Sequence, residues 1–254
     1  MYKIIIAALL STFSFQVCSW GQTGHRVTAA IAEEHLNRKA KRMVHKILSN
    51  EDLAEASTFS DEQRSNPSDF WKKTANPWHY VNVHEGEVYK KAPPEGDAVT
   101  ALEMFSKQLK SKETSLEDKQ IALRFIVHII GDLHQPFHSG TDLDRGGNDV
   151  KVIFFGQESN IHRVWDEHLI DNQKLSYTEW TNRLNRKISK KIIKQWSQTD
   201  PRVWITESQK LRLGLYPDKE RLFFDYQYKA IPIVRQRLQM GGVRLAVYLN
   251  QLFK

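Results

Sequence analysis

The stretch from Ser115 to Pro136 constrains this fold more than any other part of the chain. Ser115 is placed to cap a helix, with Asp118 three residues on. Ile121, Leu123, Phe125, Ile126, Ile129 and Ile130 then follow in close succession. A helix so densely apolar is buried, so it must run through the centre of the molecule. It should end near Pro136, where a helix cannot continue unbroken. The same helix carries His128 and Asp132. Ionisable groups in such a place need partners or a metal.

His128 and Asp132 are at i and i+4, so they share one face of the helix. His138 follows the proline and can reach round the helix end. His162 and Asp166 repeat the i, i+4 spacing. Paired nitrogen and carboxylate donors without sulfur suit hydrolytic zinc sites that keep a position open for water. A lone helical histidine is normally a hydrogen-bonded core or surface residue. Two His-x3-Asp pairs and His138 together point to metal. His134, two residues past Asp132, points away from that carboxylate and is read as a supporting group.

The N-terminus adds a further donor set. Lys3 precedes the mostly apolar run Ile4 to Phe15, and Val17 and Ser19 are small enough to precede a cleavage site. Residues 1–19 are therefore expected to be a signal peptide, and 20–254 one domain. Cleavage after Ser19 makes Trp20 the first residue. Its α-amine and carbonyl oxygen then chelate a metal together with His25. Cys18 alone would suggest a lipid anchor, but Val17 is bulky for the position before it.

The only cysteine is Cys18, so the mature chain forms no internal disulfide. An exported protein of this kind must be held by its core, by metals or by both. A secreted or periplasmic, soluble protein is expected, with no membrane contact after cleavage. The net charge of +7 favours a nucleic-acid or phosphate substrate over a cationic one. The basic runs Arg38 to Lys46 and Arg183 to Lys194 are also what solvated helix faces look like.

The remaining pattern is helical. Helices are expected from Val27 to Leu36, over Arg38–Leu48, over Ala98–Leu109, and from Ile161, Tyr177, Pro201 and Tyr226 onward. Pro232 and Gly241-Gly242 should kink or break the last one. Val150, Val152 and Phe154 alternate, which predicts a short strand or β-hairpin. Long loops cover Asn66 to Gly96 and Ser139 to Asn148. The fold class is mainly α.

Two weaker signals complete the set. Asp61 ends Ala56-Ser57-Thr58-Phe59-Ser60-Asp61, with Arg64 one turn on. His79 lies in Pro77-Trp78-His79-Tyr80-Val81-Asn82. Read singly, these are an N-cap aspartate and a loop histidine. Together with the stronger motifs, they give a chain that closely resembles the trinuclear-zinc, single-strand-specific nucleases and 3′-nucleotidases of fungi, plants and bacteria. Those enzymes share a superfamily with the bacterial zinc phospholipases C. The matching motifs run in order from Trp20 to Asp166.

The resemblance implies one compact multi-helix domain of the zinc phospholipase C/nuclease type, expected to be a monomer, holding three Zn²⁺. One ion takes Asp61, His79, His128 and Asp132. A second takes the Trp20 amine and carbonyl, His25 and the other oxygen of Asp132. The third takes His138, His162 and Asp166. The implied reaction is hydrolysis of single-stranded DNA and RNA to 5′-phosphate products, with 3′-mononucleotides as further substrates. Arg64 neutralises phosphoryl charge. Asn148, in Gly146-Gly147-Asn148-Asp149, lies near the scissile phosphate. Tyr80 and Asn82 form the base pocket, with Asn82 standing where the family usually has aspartate. That departure predicts a relaxed or altered base preference. The rival readings are a zinc-dependent phospholipase C and a nucleic-acid-binding protein with structural zinc. The first is disfavoured by Asp166 where those lipases resemble glutamate, and the second by donors that leave open positions.

Overall fold

The computed structural model describes residues 20–254. The expected signal peptide, residues 1–19, lies outside the described residues. The elements begin with α1 (Gln22–Glu34), α2 (Arg38–Leu48), and the short α3 (Leu53–Ala56) and α4 (Phe59–Glu62). A 3-10 turn at Asn76–His79 leads into the two-residue strand β1 (Val81–Asn82). Helices α5 (Ala98–Lys110) and α6 (Leu116–Asp132) follow. A 3-10 turn, Pro136–His138, then joins β2 (Ser139–Gly140). Next come β3 (Lys151–Phe154), β4 (Gln157–Asn160), α7 (Ile161–Arg163), a π turn at Val164–His168 and α8 (Leu169–Asp171). The chain ends with α9 (Tyr177–Asn185), α10 (Lys190–Gln195), α11 (Pro201–Arg212), β5 (Arg221–Leu222) and α12 (Phe224–Leu252).

Helix α6 is the central element that the sequence predicts. The Ser115 hydroxyl accepts the Asp118 N–H at 3.1 Å, and every residue from Phe125 to Asp132 is buried. It ends at Asp132, four residues before Pro136. One apolar core lies against it. Phe105 stacks on Phe125 at 4.5 Å, and Trp78 meets the same ring edge-on at 5.3 Å. The second core gathers Trp20, Phe137, Trp165, Trp180 and Leu238. The metal-ligand candidates come from elements bordering both.

The hairpin expected at Val150 to Phe154 is β3–β4, an antiparallel pair with Lys151 opposite Asn160. Its two-residue turn, Phe155-Gly156, has φ of 48° and 85°, the left-handed geometry that matches the twist of paired strands. Strand β5 adds in parallel to β3, and β1 pairs in parallel with β2. The second ladder sets Val81 beside Ser139 and so brings the Tyr80–Asn82 segment next to His138.

Two expectations need correction. Helix α12 is not broken: it runs without interruption from Phe224 to Leu252. Pro232 frees the carbonyl of Tyr228, a residue 84% exposed, so water can satisfy that group. Gly241 and Gly242 serve close packing. A Cβ at Gly242 would come within 2.6 Å of Ile31 Cβ and 2.9 Å of the Thr28 carbonyl on α1. The segment from Asn66 to Gly96 is also less of a loop than expected, since it contains a π turn at Phe70–Thr74 as well as the 3-10 turn and β1. Trp71 stacks on Phe125 at 5.7 Å and ties it to the core.

The basic run Arg38 to Lys46 forms α2, with Arg38, Lys39, Lys41, Arg42 and Lys46 exposed and Ala40 and Val44 buried. It is a solvated face. No described helix is long and apolar enough to cross a membrane.

Candidate metal centre

Five side chains from four parts of the chain meet at the C-terminal end of α6. His128 Nε2 lies 3.0 Å from Asp132 Oδ2, as their shared face requires. His79, delivered by the 3-10 turn, places Nδ1 2.8 Å from His128 Nε2 and 3.2 Å from Asp132 Oδ2. Asp61, on α4, places Oδ1 3.7 Å from His128 Nε2. From α1, His25 stacks on the His128 ring at 3.9 Å and turns Nε2 to Asp132 Oδ1, 3.3 Å away. Gly131 makes that approach possible, because a Cβ there would meet His25 Nδ1 at 2.9 Å. Asp132 thus faces His79 and His128 with one oxygen and His25 with the other.

A third group lies alongside. His162 Nε2 is 3.1 Å from Asp166 Oδ2, and His138 Nε2 is 3.6 Å from Asp166 Oδ1. All three residues are buried. His138 also approaches Asp132 Oδ1 at 3.6 Å, so the two assemblies are adjacent. Donor atoms fall within 4.8 Å of one another in three sets: His25, Asp61 and His128; His79, His128 and Asp132; and His138, His162 and Asp166. Each set can hold a metal ion.

The second ring nitrogens fix how the imidazoles face. His128 Nδ1 lies 2.8 Å from the Ser57 carbonyl, His138 Nδ1 2.7 Å from that of His79, and His162 Nδ1 2.6 Å from that of Gly146. With Nδ1 donating, Nε2 keeps its lone pair for a metal. Among the described residues, three buried atoms at the facing ends, Asp132 Oδ1, His138 Nε2 and Asp166 Oδ2, make no hydrogen bond. Buried polar atoms are normally satisfied, so this alignment fits coordinated ions.

The charges agree with this. Burial raises the Asp61 carboxyl pKa, but Arg64 and the nearby imidazoles outweigh it and bring the value down to about 2. Burial also works against the Asp132 carboxylate, yet His128 and His138 hold it well below the usual range. Burial and then Arg64 lower His79 to about 4, which favours the neutral, ligating ring. For His138, the pull of Asp132 and Asp166 exceeds the effect of burial and raises it to about 9.

The other candidates fall around these groups. Trp20 is fully buried, and the next residue, Gly21, donates its N–H to the Asp166 carbonyl at 2.8 Å. Arg64 pairs with Asp61 at 3.1 Å and lines a 280 Å³ cavity with Gly21, Gln22 and Glu167. Tyr80, Asn82 and Asn148 line another, of 360 Å³, together with His162. Asn148 donates to the Arg145 carbonyl at 2.9 Å. His134 faces away from the donors: its Nδ1 lies 2.6 Å from the Ile130 carbonyl, and its Nε2 is 3.2 Å from an Arg244 nitrogen.

Sequence reasoning missed Asn76, Asp142 and Arg145, which line the same cavity as Tyr80. Only tertiary contact brings them there. Gln135 was also missed. It is fully buried and donates to Asp166, although its place between His134 and His138 could have marked it.

Three histidine–carboxylate groups on a helical frame, one of them reaching a polar cavity through His162, are the donor sets of a protein that could bind metal ions. The profile of the S1/P1 Nuclease family matches residues 20–254, and the chain belongs to that family. It is 27% identical to Endonuclease 2 of Arabidopsis thaliana, over 98% of this chain and 96% of that protein. Identity to Nuclease S1 of Aspergillus oryzae is 24%, with 91% of each chain covered. This membership decides against the phospholipase C alternative.

Proposed function

We propose that this protein is a zinc-dependent, single-strand-specific endonuclease that hydrolyses phosphodiester bonds in DNA and RNA to 5′-phosphate products and also acts on 3′-mononucleotides. The observation that carries the reading is the adjacency of the three histidine–carboxylate groups to one another, with His162 of one group also lining the cavity of Tyr80, Asn82 and Asn148, in a chain of this family. Asp61, His79, His128 and Asp132 would hold one zinc ion. His25, Asp132 and Trp20, through its amine and carbonyl, would hold another. His138, His162 and Asp166 would hold the third.

When bound, zinc supplies Lewis acidity that activates water at neutral pH and offsets phosphoryl charge. The chain's own groups do the rest. Arg64, with Nε on Asp61, stands ready for the charge that grows on the phosphoryl oxygens. Tyr80 offers its ring to an unstacked base, a contact worth roughly 1–3 kcal/mol. Asn82 reads that base with both a donor and an acceptor. Asn148 lines the same cavity beside His162. A paired base would have to leave its stack first, which costs a few kcal/mol and accounts for single-strand preference.

Residues 1–19 direct the protein to the periplasm or the exterior, and their removal creates the Trp20 amine; the mature protein works as a monomer. The test is an untagged protein that begins at Trp20, compared with one extended by a single Gly. With zinc present, the first should cleave single-stranded DNA and RNA, release phosphate from 3′-AMP and leave duplex DNA largely intact. The second should be crippled. Absence of cleavage by the Trp20 form would overturn the reading.

A further inference from the structure

We infer that Gln135 is a positioning residue that makes Asp166 a competent ligand of the third metal group, an inference that rests on the zinc reading above. Its side chain is fully buried between the turn after α6 and the π turn that carries Asp166. Both ends of the amide are used. Nε2 donates to Asp166 Oδ1, and Oε1 accepts the Phe137 N–H at 2.5 Å. Because Oε1 is committed to a backbone donor, the nitrogen must face Asp166. The amide cannot be flipped without losing both bonds.

The backbone is fixed as well, since the Gln135 N–H donates to the Asp132 carbonyl at 2.9 Å. Gln135 therefore connects Asp132 of one group with Asp166 of another. Its bond to Oδ1 leaves Asp166 Oδ2 turned to His162 Nε2 at 3.1 Å, without a hydrogen bond of its own among the described residues. The residue type matters too. A neutral amide donates to Asp166 and leaves its full charge for the cation. A glutamate of the same length would set one carboxylate against another. A leucine would fill the space but orphan Asp166 Oδ1 and the Phe137 N–H.

The test is zinc stoichiometry and affinity, read by titrating the loaded protein with a competing chelator. Wild type should hold three ions. In Gln135→Leu and in Gln135→Glu, one ion should be lost at about 10- to 100-fold lower chelator strength, as for other groups that orient metal ligands, while the remaining two are unchanged. The double variant Gln135→Leu/His162→Ala should lose no more than His162→Ala alone, because both act on the same ion. Gln135→Glu keeps the side-chain size and so tests the role even if the leucine variant folds poorly. Equal weakening of all ions, no weakening, or additive losses in the double variant would overturn the inference. A wild-type protein that binds fewer than three zinc ions would instead refute the three-zinc reading on which it rests.

Discussion

Arg64 and Asn82 are the two residues whose chemistry departs most from simple ligation. Arg64 gives one nitrogen to Asp61 at 3.1 Å and lines a cavity with Gly21 and Gln22. Removing a preorganised charge donor of this kind costs about 10²–10³ in kcat. Arg64→Ala should fall in that range on single-stranded DNA, with zinc content kept at the wild-type level. A loss of zinc instead would make Arg64 a support for Asp61 rather than a partner of substrate. Asn82 is exposed at the cavity edge beside half-buried Tyr80. Asn82→Asp removes its donor and leaves only acceptors. Cleavage of homopolymers by this variant should shift toward bases that present N–H groups, by several-fold between bases. Identical base profiles for the two proteins would remove Asn82 from recognition.

At the scale of elements, α6 and α12 bear most of the organisation, and they differed in how legible they were. Helix α6 could be read because cap, apolar content and ligand spacing all pointed the same way. Helix α12 was misread at Gly241-Gly242, because a glycine pair looks the same whether it ends a helix or admits a neighbour. Only the approach of Ile31 and Thr28 decides between these. Gly242→Ala should therefore destabilise the protein by about 1–3 kcal/mol in urea unfolding, the usual cost of overpacking, despite alanine's better helix propensity. A stabilised variant would mean that α1 and α12 can part freely. The pairs His128/Asp132 and His162/Asp166 were legible because i, i+4 spacing is local, whereas Asp61 and His79 gained their ligand roles only through the family resemblance. Gln135, Arg145 and the cavity were not legible, because they depend on β1 pairing with β2 and on the turn after α6. The same holds for Arg237, which lies buried at the back of α6. It donates to the His134 carbonyl at 2.8 Å and to Ser208 Oγ at 2.6 Å, and pairs with Glu207 at 3.3 Å. Arg237→Leu strips these partners together, and a loss of about 3 kcal/mol is expected in the same assay.

The whole molecule joins two apolar cores across a set of buried charges. His128, Asp132, His138 and Asp166 are each fully buried. Burying such groups is costly unless they are paired or hold a cation. No cysteine follows Cys18, so no disulfide within residues 20–254 can share the task. On the proposed function, bound metal would then be a structural element as well as a catalytic one. A ligand that binds only the folded state adds about 2.7 kcal/mol when its free concentration is a hundredfold above its Kd. For a chain of this size, 1 kcal/mol shifts Tm by about 2–4 °C. Loss of a single site should therefore lower Tm by roughly 5–10 °C. Stripping zinc with a chelator should do more, though less than three times as much, because His128 belongs to two of the three groups and their sites are not independent. Dithiothreitol, tested at a concentration too low to compete for zinc, should leave Tm where it was. The contrast is diagnostic. An unchanged Tm after complete removal of metal would mean that the buried histidines and carboxylates satisfy one another, and that the fold stands on its two cores alone.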